Sequence, residues 1–166
     1  TSNVAADEKP AKKTICLNMI VKNETKVIKR ALASVKPLID YWVIVDTGST
    51  DGTQQMIKDF MQDIPGEVHE RPWKNFEHNR NQALELAKSK CDYILFIDAD
   101  EYLEFAPDFQ MPSLHLDSYD SLIISTNVQY NRTLLIKDGM DWKWIGVLHE
   151  YIGSPKAKSK QVIQGI

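Results

Sequence analysis

The feature that most constrains this chain is an alternation running from Thr14 to Asp98. Four strand-like runs, TICLNMIV, YWVIVD, EVHER and DYILFID, are separated by stretches whose apolar residues recur at helical spacing. In KVIKRALASV, the residues Val27, Ile28, Ala31, Leu32 and Val35 share one helical face, and Pro37 ends the helix. QQMIKDFM predicts a second helix behind the Gly-rich turn TGSTDGT, with Asp51 and Gln54 spaced as in a capping box. NFEHNRNQALELAKSK predicts a third, with Phe76, Ala83, Leu84 and Ala87 inside. DYILFID is apolar at consecutive positions, the pattern of a strand covered on both faces.

Such alternation predicts an α/β fold, a mostly parallel central sheet between layers of helices. Right-handed crossovers then bring the carboxyl ends of the strands to one rim, where ligands collect. Asn23 and Glu24 follow the first strand, Asp46 ends the second, and Asp98 and Asp100 end the fourth, so these residues are expected together. After Pro107 the pattern changes. SLIISTNVQY and TLLIK read as strands, KDG at 137–139 as a turn and DWKWIGVLHEYI as a last extended segment, which predicts antiparallel additions to the sheet. Residues 1–13 are expected to be disordered, residues 14–153 to form one domain and the basic tail 154–166 to be loosely attached.

The run YILFIDADEYLE drives into three acids, Asp98, Asp100 and Glu101. An Asp-x-Asp pair is weak by itself. Acids this close repel one another unless a cation or a helix N-terminus offsets them, which leaves a divalent metal site and an acidic helix start both open. Arg80 lies on the inward stripe of the third helix, either covering apolar surface with its stem or reaching over the strand ends to a phosphate. DTGSTDGT is neither a Walker loop nor a dinucleotide fingerprint; it is a plain loop, or its backbone N–H groups and Asp46 form one wall of a pocket. His149 and Glu150 are adjacent, and one such His disfavours a structural zinc site. Aspartate oxygens suit Mg²⁺ or Mn²⁺ better.

A net charge of −3 gives no electrostatic footprint for nucleic acid. No apolar stretch approaches the roughly 20 residues of a membrane span. TSNVAADEKPAKK lacks the apolar core of a signal peptide. A soluble, cytoplasmic protein is expected, compatible with peripheral association at a membrane. Cys16 and Cys91 are read as reduced and structural.

Taken in order, ICLNMIVKNE, SVKPLIDYWVIVDTGSTDGT and RPWKNFEHNRNQALELAKSKCDYILFIDADEYL resemble the family 2 glycosyltransferases of the GT-A fold, in particular the subgroup similar to lipopolysaccharide core β-1,4-glucosyltransferases. The resemblance is dense from Thr14 to Leu103, and WKWIGVLHEYI resembles the subgroup's W-x-G-x-x-H-E segment. It implies a Rossmann-like three-layer sandwich and a hexosyltransferase. The donor would be a nucleotide-diphosphate sugar, UDP-sugar first, and the acceptor a hydroxyl of a glycan, a lipid-linked sugar or a protein. Transfer would invert the anomeric carbon and depend on Mn²⁺ or Mg²⁺. The resemblance places Asn23, Glu24 and Asp46 on the nucleoside side and Arg80 at the nucleotide. Asp98 falls near the ribose or the metal's water, and Asp100 on the ion that holds the diphosphate. The base is expected in Glu150, with Asp141 the second choice, and His149 as a metal or phosphate ligand. Glu101 is left as a helix-start acid. Two other readings stand beside this one: a nucleotide-sugar binding module without turnover, or a fragment of a larger transferase. A nucleotidyltransferase is disfavoured because KNETK lacks the glycine and arginine of a triphosphate loop.

Overall fold

The computed structural model describes residues 12–146 and 149–166. Four strands alternate with three helices in the first part of the chain. β1 (Ile15–Val21), β2 (Tyr41–Asp46), β3 (Gly66–Glu70) and β4 (Tyr93–Phe96) are separated by α1 (Ile28–Val35), α2 (Thr53–Phe60) and α3 (Phe76–Ala87). β1 pairs in parallel with β2 and with β4, and β2 with β3, so β1 is central and buried at six of its seven positions. Its neighbours lie one on each side, which makes the carboxyl ends of β1 and β4 the switch point where a crevice opens.

The two-residue period of β1 sorts the core into two layers. Ile15, Leu17 and Met19 pack with Ala31 and Leu32 of α1 and Ile57 of α2, whereas Cys16 joins Val43, Leu84 and Ala87 under α3. Asn18 lies on the α3 side, where Nδ2 donates to Val43 O at 3.1 Å and Ala83 O at 3.0 Å. One amide thus ties β1 to β2 and to α3, and its buried donors are satisfied. Burial pushes the thiols of Cys16 and Cys91 above their ordinary range, and neither forms a disulfide, as expected of structural cysteines.

The remaining strands are β5 (Ser118–Ile124), β6 (Gln129–Lys137), β7 (Lys143–Ile145), β8 (Tyr151–Gly153) and β9 (Lys160–Val162). β6 is antiparallel to β4 and to β5, β9 is parallel to β5, and the sheet order is β3-β2-β1-β4-β6-β5-β9. This is the expected α/β sandwich, a mostly parallel sheet with antiparallel strands added late in the chain.

Several expectations are corrected. Phe76 is 44% exposed; at the start of α3 it packs edge-on against Trp73, with ring centroids 4.8 Å apart. Val27 is only half-buried. The capping box does not form, since Gly52 takes the N-cap position at φ 87° and the Gln54 amide donates to Glu70. SLIISTNVQY is two strands, because Ser125 and Val128 exchange backbone hydrogen bonds and close a hairpin turn inside it. The described residues of DWKWIGVLHEYI add no strand to the main sheet; β7 and β8 pair with each other, beneath α3. The tail is not loose: β9 extends the sheet, Ile163 is 3% exposed, and Ala106 N donates to Gly165 O at 2.9 Å. The disorder expected of residues 1–13 falls, up to residue 11, outside the described residues. No helix among the described residues is long and apolar enough to cross a membrane.

Candidate functional site

The rim begins at Asp46, the last residue of β2. Its carboxylate is buried, and Oδ1 accepts from the amides of Gly48 and Ser49, each at 2.8 Å. Gly48 holds φ 121°, a conformation that favours glycine. Asp46 Oδ2 is buried and, among the described residues, has no hydrogen-bond partner. Asn23 binds the same loop twice, its N donating to Ser49 Oγ and its Oδ1 accepting from Thr50 N, both at 2.8 Å. Glu24 N donates to Thr53 Oγ1 at 3.0 Å. The loops after β1 and β2 are therefore one braced unit. The amides of residues 48–50 are spent within it, so they offer a ligand no free N–H groups.

The acidic turn after β4 is held by three arginines. Arg80 Nη2 meets Asp98 Oδ1 at 3.1 Å, Arg30 Nη2 donates to Asp100 O at 3.0 Å, and Arg132 Nη2 meets Glu101 Oε1 at 2.6 Å. The Arg30 guanidinium also lies over the Tyr102 ring, 4.4 Å from its centroid. Glu101 Oε1 accepts from Asp98 N at 2.9 Å, and Glu101 N donates to Asp98 O at 3.0 Å. No helix starts here, so the helix-start role of Glu101 is replaced by a self-closed turn. Asp100 is exposed, and among the described residues its carboxylate makes no hydrogen bond or ion pair. Partial burial and the charges of Asp100, Asp51 and Asp98 raise the pKa of Glu24, so these acids share one negative field. Burial works against the charge of Arg132, yet its bond and attraction to Glu101 leave its pKa above the ordinary value.

Three consecutive residues of α3 organise the other side. Asn79 is fully buried and fixes the approach loop, its Oδ1 accepting from Lys74 N at 2.9 Å and its Nδ2 donating to Pro72 O at 3.1 Å. Arg80, besides Asp98, reaches Glu150 Oε1 through Nε at 3.4 Å, with its guanidinium 5.1 Å from the Trp144 ring centroid. Asn81 grips the backbone of Trp144 at both N and O, at 2.8 and 2.9 Å. Glu77 Oε2 then accepts from Gly146 N at 2.9 Å. Gly146 has φ 108°, and a Cβ there would lie 2.7 Å from His149 O. The glycine of W-x-G-x-x-H-E is thus required by a close return of the chain, and that return delivers Glu150 to Arg80.

The structure therefore brings Glu24, Asp46, Arg80, Asp98, Asp100 and Glu150 to one rim, with Asn23 bracing it. One expected residue does not converge. Asp141 lies in the turn after β6; because β6 runs antiparallel, that turn is at the amino end of β4, where Asp138 N meets Asp92 O at 2.9 Å, and Asp141 is paired with Lys156 at 2.6 Å. The His149 residue is exposed, and among the described residues no group of three or more His, Cys, Asp or Glu side chains forms a metal cage. The donor set nevertheless fits Mg²⁺ or Mn²⁺, ions that take one or two carboxylates and complete their shell with phosphate and water. The unengaged Asp100 carboxylate, in a field negative enough to raise Glu24, suits such an ion.

Residues 16–131 match the profile of glycosyl transferase family 2. The chain belongs to that family. The SPbeta prophage-derived glycosyltransferase SunS of Bacillus subtilis strain 168 is 42% identical over 100 residues, which is 60% of this chain and 23% of SunS. An uncharacterised glycosyltransferase of Rickettsia prowazekii is 37% identical over 93 residues, 55% of this chain and 29% of its own. The chain thus spans about a quarter of the length of the curated relatives it matches. Among solved structures, S. aureus TarS in complex with UDP-GlcNAc overlaps 54% of this chain and 27% of its own at 26% identity and TM-score 0.46. The mannosyltransferase PcManGT from Pyrobaculum calidifontis, in complex with GDP-Man and Mn²⁺, overlaps 56% of this chain and 29% of its own at 22% identity and TM-score 0.49.

Proposed function

We propose that this chain forms the donor site of an inverting hexosyltransferase that takes a nucleotide-diphosphate sugar, UDP-sugar first, and delivers the sugar to an acceptor hydroxyl with the help of Mn²⁺ or Mg²⁺. The observation that supports this most is Arg80. One guanidinium engages Asp98 at the end of β4 and Glu150 beyond β7, so groups remote in sequence meet at the switch point of the sheet. A planar fork with several donors is the side chain suited to a diphosphate.

The roles follow from the contacts. Asp46 Oδ2, buried and unpartnered among the described residues, accepts a hydrogen bond from the nucleoside. Arg80 orients the diphosphate, and Glu150 takes the proton of the attacking hydroxyl. Direct displacement of the diphosphate inverts the anomeric carbon. A divalent cation held by Asp100 and Asp98 would supply Lewis-acid stabilisation of the charge gathering on the leaving diphosphate. The acceptor hydroxyl belongs to a glycan, a lipid-linked sugar or a protein.

Calorimetry with UDP-, GDP- and TDP-sugars, with and without Mn²⁺, tests the reading. Tightest binding of a UDP-sugar, strengthened by Mn²⁺ and accompanied by slow donor hydrolysis, is expected. Absence of nucleotide-sugar binding in every combination overturns it, and binding without hydrolysis or transfer assigns the chain to a non-catalytic module.

A further inference from the structure

Arg132 stands apart from the other site groups. It lies on β6, in the part of the β5–β6 hairpin that runs past the end of β4, whose pairing with β6 stops at Leu95 and Leu135. β5 likewise passes beyond β9 after Asp120, and the arm leaves Leu122, Ile124, Val128 and Tyr130 exposed. From this arm Arg132 Nη2 reaches Glu101 Oε1 at 2.6 Å, and the same oxygen accepts from Asp98 N at 2.9 Å. One carboxylate oxygen thus joins the arm to the backbone of the residue that Arg80 holds by its side chain.

We propose that Arg132 and Glu101 are positioning residues for the acidic turn: Arg132 fixes the Glu101 carboxylate on the Asp98 amide, and the β5–β6 arm thereby sets where the Asp98 and Asp100 carboxylates point. Glu101 ligates nothing in this arrangement. With its carboxylate turned back onto Asp98 N and its charge matched by Arg132, it leaves the neighbouring acids to face the ligand. The proposal rests on the donor-site reading for its functional half, but the hydrogen-bond relay is a property of the chain alone.

Two measurements test it on Glu101→Gln, Arg132→Met and the double variant: hydrogen exchange at the Asp98 amide without ligand, and Mn²⁺ titration of UDP binding. Each single variant is expected to speed Asp98 exchange and to raise the Mn²⁺ midpoint by about tenfold, the worth of one hydrogen bond to a charged group. UDP affinity without metal stays within about twofold, and the double variant matches either single one because the two residues act as one unit. Arg132→Lys, which keeps the charge with a different reach, falls between and covers the case in which Met disturbs folding. The proposal fails if the two losses multiply, if metal-free and Mn²⁺-dependent affinity fall together with Tm, or if Glu101→Gln alone abolishes the Mn²⁺ response, since Glu101 is then itself a ligand. If the unaltered chain binds no nucleotide, the donor reading fails while Asp98 exchange still decides the relay.

Discussion

The parallel half of the sheet and the strands that follow it contribute to the rim in different ways. β1, β2 and β4 place Glu24, Asp46, Asp98 and Asp100 there simply by ending, because every carboxyl end of a parallel sheet points the same way. The later half must reverse direction to arrive, and does so through specific contacts: Asn81 and Glu77 hold the segment that carries Glu150, and the hairpin arm carries Arg132. Topology supplies the first set of groups and individual hydrogen bonds supply the second. Donor binding should therefore depend on the first half, with Arg132 bracing its acidic turn from the hairpin arm, and turnover on the segment that carries Glu150.

Glu150→Gln should separate the halves most sharply. It removes the base, so kcat is expected to fall by about 10²- to 10⁴-fold while donor affinity stays within about twofold; an equal fall in donor affinity breaks the division. Asp100→Ala should act on the other side, costing on the order of a hundredfold in Mn²⁺-dependent donor affinity, as loss of a group holding a Lewis acid does. UDP titrations with and without Mn²⁺ would show it, and undiminished metal dependence would remove Asp100 from the site.

A smaller effect concerns the join between the layers. Asn18→Ala is expected to lower unfolding free energy by about 2–3 kcal/mol, read from urea midpoints, because it removes an amide bonded to β2 and to α3. The smallest is pH-dependent. Burial and neighbouring acids raise the Glu24 pKa, so the folded state binds the proton more tightly than the unfolded chain does. The resulting stability is present below the ordinary glutamate value and lost as pH rises through the raised one. Glu24→Gln should thus raise Tm at neutral pH, with the gain vanishing in acid; Tm measured against pH for both proteins checks the sign.

The same contrast explains what the sequence makes legible. Asp46 and Asp98 can be placed because each ends an apolar run, and a parallel strand leaves its last residue no other destination. Arg80 is legible as an inward-facing residue by helical spacing, although its partners are not. Arg132 carries no such signal, since its position follows from the hairpin register and from a bulge between Tyr119 and Asp120. Asp141 misleads for a related reason: nothing in the sequence tells that β6 runs antiparallel to β4, and an antiparallel strand delivers its turn to the opposite ends of the parallel strands. Asn18 is the one missed residue with a visible mark, a lone amide within an apolar run whose burial requires partners.

Asn79, Arg80 and Asn81 follow one another on α3 and serve three separate directions: the approach loop, the acids and the β7 backbone. Adjacent residues on a helix are about 100° apart in rotation, so these three tasks fix the angular phase of the helix as well as its position. A one-residue deletion between Asn75 and Asn79 would preserve helix propensity and most apolar spacing, yet turn all three side chains to the wrong partners at once. Changes of length in this helix should consequently be far less tolerated than changes of identity on its exposed face.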